Sequence, residues 1–148
     1  MKKRRFLSIA LAAVLMFSTG QSVFASQDVN EPNDSPYTPT IIPAFGAANF
    51  QGYISSHEDM DWYGFHTADY GGTFAVNAIH WSPSLIVTAY KYTPSGFYVV
   101  TPIQSSQQNG HTFIEFPVDP FSSYVIYVDG AADSDPYYLY TSGILRNS

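Results

Sequence analysis

No window of this chain sustains an apolar stripe at helical spacing. Its apolar and aromatic residues come in short runs closed by Gly, Pro, Ser, Asn or Asp. Runs of this kind, repeated at short intervals, predict strands of a sandwich or barrel. We place them at 39–43, 50–55, 61–67, 72–80, 84–92, 96–103, 111–118 and 122–129, with a last one at 136–142. That makes an all-β domain of about eight or nine strands, with neither an internal repeat nor a low-complexity linker.

Alternation assigns faces, because neighbouring residues of a strand point to opposite sides. Ile114, Phe116 and Val118 share a face opposite Glu115 and are predicted core. Tyr63 and Phe65 point inward, leaving Trp62 and His66 outward. Tyr124, Ile126 and Val128 oppose Val125 and Tyr127, and Tyr137 and Leu139 oppose Tyr138 and Tyr140. The run "SLIVTAYKY" is apolar on both faces, as a central strand would be.

The chain opens with "MKKRRFLSIALAAVLMF", a basic stretch followed by about a dozen apolar residues, then the small residues of "STGQSVFAS". This is the pattern of a signal peptide over 1–25, cleaved after Ala25. Its apolar part is shorter than the ~20 residues of a membrane span. We therefore expect a secreted bacterial protein with no membrane role after cleavage. About 123 residues would remain, enough for one domain: a polar, acidic lead-in over 26–36, a sandwich over 37–143 and a tail over 144–148. With no cysteine, it must hold by packing, helped by a metal if one binds. Beyond the leader only Lys91 and Arg146 face 12 carboxylates, a balance of −10. Such a chain does not bind nucleic acid through charge and suits cations or neutral and basic partners.

Two carboxylate clusters stand at the edges of apolar runs. "VNEPNDSPY" holds Glu31, Asn33 and Asp34, and "HEDMDWYGF" holds Glu58, Asp59 and Asp61. A mixed set of carboxylate and amide oxygens suits a hard cation such as calcium, which takes six to eight oxygen ligands. Pro, Asn, Asp and Ser also form turns without any metal. His57, His66, His80 and His111 are scattered and lack zinc-enzyme spacing. The chain has no G-x-S-x-G elbow and no cysteine nucleophile, so we assign no catalytic residue. Outward Trp62, Tyr127, Tyr138 and Tyr140 are the candidate ligand-binding rings, forming one exposed strip if the last two strands lie in one sheet.

In this order, "EPND", the stretch Gly52, Ile54, Asp59, Asp61, Tyr63 and Phe65, and the later strands "GGTFAV", "SLIVTAY", "SSYVIYV" and "YYLY" resemble the bacterial pre-peptidase C-terminal domain family. The collagen-binding domains of clostridial collagenases are relatives of that family. The resemblance covers about residues 30–142. It implies a jelly-roll-like antiparallel β-sandwich and, as in some members, a calcium site. Glu31, Asn33 and Asp34 match the first ligand group, and Asp61 the second, with Glu58 or Asp59 as companion. The calcium-binding collagenase domains carry a further acidic residue where this chain has Val29, with Asp28 beside it. The expected function is a secreted, non-catalytic module attaching to an extracellular protein or polysaccharide. A small secreted enzyme, a peptidase-associated inhibitor or accessory domain, and a structural wall or matrix component are the alternatives. The sequence leaves the oligomeric state and any separate peptidase partner open.

Overall fold

The structure is a computed structural model that describes residues 30–56, 58–81, 84–130 and 136–147. The expected signal peptide, Asp28, Val29 and His57 lie outside the described residues. Ten strands form two five-stranded sheets: β1 (Thr40–Ile41), β2 (Gly46–Gly52), β3 (Asp61–His66), β4 (Tyr70–Ile79), β5 (Ile86–Thr93), β6 (Gly96–Val99), β7 (Gln104–Gln108), β8 (His111–Val118), β9 (Ser123–Asp129) and β10 (Tyr137–Asn147). One sheet has the order β1-β3-β9-β5-β6, the other β2-β10-β4-β8-β7. All pairs are antiparallel except β1 with β3, which run parallel. The all-β sandwich expected from the runs is the fold observed.

The alternation read from the sequence sets the core. Tyr63 and Phe65 of β3, Tyr124, Ile126 and Val128 of β9, and Ile114, Phe116 and Val118 of β8 are buried, with Phe74, Val76, Tyr137 and Leu139 from β4 and β10. Phe65 stacks on Phe74 at 4.1 Å between centroids and on Tyr124 at 5.4 Å. Each such side chain contributes about 1.5–3 kcal/mol on burial. β5 lies inside its sheet between β9 and β6, with Val87 and Ala89 facing the core. Its apolar character fits this interior position, but the outer face is not covered: Ile86 and Tyr92 stay exposed.

Three boundaries differ from expectation. The run at 96–103 is cut short: β6 ends at Val99, the chain crosses to the other sheet, and a further strand, β7, begins at Gln104, beyond that run. β7 reads QSSQQ and is exposed at every position, so no apolar alternation announces it. Asn109 and Gly110, both with positive φ, turn the chain from β7 into β8, as two-residue hairpin loops require. β2 begins at Gly46, ahead of the run at 50–55. β10 continues through Asn147 and absorbs the expected tail, because pairing with β4 continues to that residue. The last two strands, β9 and β10, also belong to different sheets, so Tyr127 does not share a face with Tyr138 and Tyr140.

Candidate functional site

The segment before β1 is anchored at several points. The Asn30 side chain donates to the Gln51 carbonyl at 2.7 Å, and the Thr40 hydroxyl donates to the Asn30 carbonyl at 2.9 Å. The Trp62 amide donates to the Asn33 carbonyl at 3.0 Å, tying the segment to β3. The Glu31–Pro32 peptide is cis. These ties carry Glu31 and Asp34 to the loop between β2 and β3.

There the two clusters of the sequence meet. Carboxylate oxygens of Glu31, Asp34 and Asp59 all lie within 4.8 Å of one another. With Ser55, Ser56 and Glu58 these residues line an open cleft of about 450 Å³. Glu31 and Asp34 are exposed and Asp59 is buried. The Asn33 amide donates to Glu31 at 3.1 Å, and the Ser55 amide donates to Asp59. The Asn33 side chain is wholly buried, and neither its oxygen nor its nitrogen has a hydrogen-bond partner. Burying an unpaired amide is costly. Away from the cleft, Lys91 pairs with Asp119 at 2.7 Å.

Asp61 is placed differently. It is wholly buried and accepts a hydrogen bond from the Tyr137 hydroxyl, which lies 2.7 Å from the Tyr63 hydroxyl. Burial first, and then the neighbouring Tyr63 and Asp61, raise Tyr137 well above the ordinary tyrosine pKa. Gly52 leaves room for this ring, since a Cβ there would collide with the Tyr137 hydroxyl. Of the six acidic and amide residues singled out in the sequence, Glu31, Asp34 and Asp59 converge, with Glu58 on the same cleft. Asn33 is buried within the converging segment, and Asp61 belongs to the core.

The candidate rings divide between two outer faces. Trp62 packs on Tyr127 at 4.7 Å and on Tyr90 at 5.8 Å, outside the β3-β9-β5 sheet. Tyr127 donates to Asp129, and burial together with that bond raises its pKa to about 12. Beside these rings Pro36, Tyr37, Pro39, Ile41, Tyr92 and Phe97 border a groove of about 360 Å³. Tyr37 reaches Phe97 at 5.4 Å across it. Sequence reasoning missed this groove because its walls come from stretches far apart in the chain, residues 36–41 and the β5-β6 hairpin. Tyr138 and Tyr140 lie outside the other sheet, and Trp81 meets Tyr138 at 6.3 Å.

No family model and no curated protein sequence matches the chain. Among solved structures, it aligns with the pre-peptidase C-terminal domain of a Bacillus anthracis collagenase, the family that its motifs resemble. The chain is similar to that domain. Identity is 14%, the TM-score is 0.45, and the match covers 70% of this chain and 92% of the domain. A periplasmic inhibitor of g-type lysozyme from Aeromonas hydrophila, PliG, aligns at 14% identity and a TM-score of 0.47, covering 73% and 96%. CorA, a surface-associated copper-binding protein of Methylomicrobium album, aligns at 10% and 0.43, covering 73% and 98%. Among the described residues no helix is long and apolar enough to cross a membrane.

Proposed function

We propose that the chain is a secreted, non-catalytic binding module that attaches to an extracellular protein or polysaccharide, with a calcium ion stapling its N-terminal segment to the sandwich. One observation carries the cation: carboxylate oxygens of Glu31, Asp34 and Asp59 converge within 4.8 Å, beside a buried Asn33 side chain without a hydrogen-bond partner. Glu31, Asp34 and Asp59 would hold the ion, with Glu58 on the same cleft. The donor set is all oxygen, with carboxylates available from two segments, as calcium prefers. Bound there, the ion would neutralise like charges and fix residues 31–34 against the loop before β3.

Thermal melts in EDTA, calcium and magnesium test this. A ligand that binds only the folded state at about 100 times its Kd adds roughly 2.7 kcal/mol. We expect a calcium-specific rise in Tm that Asp59→Asn or Asp34→Ala removes and Tyr138→Ala leaves intact. An unchanged Tm in calcium, or an undiminished response in both acidic variants, would overturn the cation reading.

A further inference from the structure

The outer face of the β2-β10-β4-β8-β7 sheet differs in chemistry from the rest of this acidic chain. Register places Asn49, Tyr140, Asn77, Phe113 and Ser106 in one row across all five strands. The next row reads Ala47, Ser142, Ala75, Glu115 and Gln104. Glu115 is the one carboxylate at the outward positions of these five strands, although the chain has 12.

A trough of about 240 Å³ runs where the two rows meet. Ala47, Ala75 and Ser142 keep it shallow and open, and Tyr140 and Phe113 flank it. Tyr140 is 43% exposed. Asn77 stands between the two rings, so Tyr140 and Phe113 rise from strands two spacings apart, roughly 10 Å. Trp81, 64% exposed, extends the ring surface beside Tyr138.

We propose that this face binds a neutral polysaccharide laid across the strands. Sugar rings present apolar C–H faces that stack on aromatic side chains, and hydroxyls that donate and accept. Asn side chains answer hydroxyls because each carries both a donor pair and an acceptor. Tyr adds a rigid apolar body with a polar tip. An anionic polymer is disfavoured by the charge of the whole chain, whereas a neutral one meets a face almost free of charge. The proposal rests on the binding-module reading above, and not on the cation.

Affinity electrophoresis of the purified protein tests it, in gels containing hydroxyethylcellulose, a neutral mannan or polygalacturonate, alongside co-sedimentation with insoluble chitin and with gelatin. We expect retention by at least one neutral polysaccharide, unchanged by EDTA, and none by polygalacturonate. Tyr140→Ala and Phe113→Ala should each weaken it about tenfold or more, as loss of a central aromatic contact does. Tyr92→Ala, on the opposite sheet, should leave it unchanged, and matching melts would show that all variants fold. Retention that survives both Tyr140→Ala and Phe113→Ala overturns the proposal. Binding to gelatin alone overturns it while leaving the binding-module reading standing, and binding to none of these polymers counts against both.

Discussion

At the scale of single residues, the chain from Asp61 through Tyr137 to Tyr63 places a wholly buried carboxylate among tyrosine hydroxyls. A wholly buried carboxylate is tolerated only with good donors. Tyr137→Phe removes one donor to this buried carboxylate and should destabilise by about 1–3 kcal/mol, as loss of a hydrogen bond to a charged group does. Tyr63→Phe, one step further from the charge, should cost less. Urea unfolding of the two variants checks the order. Tyr137, with Tyr124 and Tyr127, also ties stability to alkaline pH. Burial is the leading cause that raises Tyr124, Tyr127 and Tyr137, with Tyr127 reaching about 12 against an ordinary 10.0. The folded state therefore holds its phenolic protons more tightly than the unfolded chain. The stability this represents is complete below pH 10 and is lost as pH rises through about 12. A titration followed at the tyrosinate absorbance should show these rings ionising together with unfolding.

At the scale of elements, alternation made β8 legible to the residue, since it buries one side of a regular strand, and β9 to within one, although β9 also buries Val125 on its other side. β7 was invisible for the opposite reason: it buries neither side, and only its pairing with β8 makes it a strand. The end of β10 was hidden by weak side-chain signals in a stretch held by backbone pairing. The N-terminal segment was read as a polar lead-in, yet it lies across β3. Just beyond the lead-in, Pro39 packs on Gly64 of β3, where a Cβ would come within 2.7 Å of Pro39 Cγ. Gly64→Ala should thus push the segment from the sheet and cost about 1–3 kcal/mol, as overpacking does. Denaturant unfolding measures the loss, and an unaltered midpoint would show that the segment yields freely.

At the scale of the molecule, the sandwich separates three surfaces: an acidic cleft, a grooved aromatic face and a neutral, amide-bearing face. Local sequence showed that two carboxylate clusters exist, and the resemblance placed them together. The distinction between Asp59 at the cleft and Asp61 in the core depends on which way a strand begins, and composition is silent on that. The division of the rings was also hidden, because which strand joins which sheet is a property of topology. That topology bears on how the protein is made. β10, the last strand of the chain, lies between β2 and β4, among the first. Five strands need its presence before their sheet is continuous, so assembly cannot keep pace with synthesis. Contacts that join the two ends of a chain also form slowly, on the scale of milliseconds to seconds for sandwiches. The pairing edges of β2 and β4 therefore stay open until β10 has been made and has docked between them.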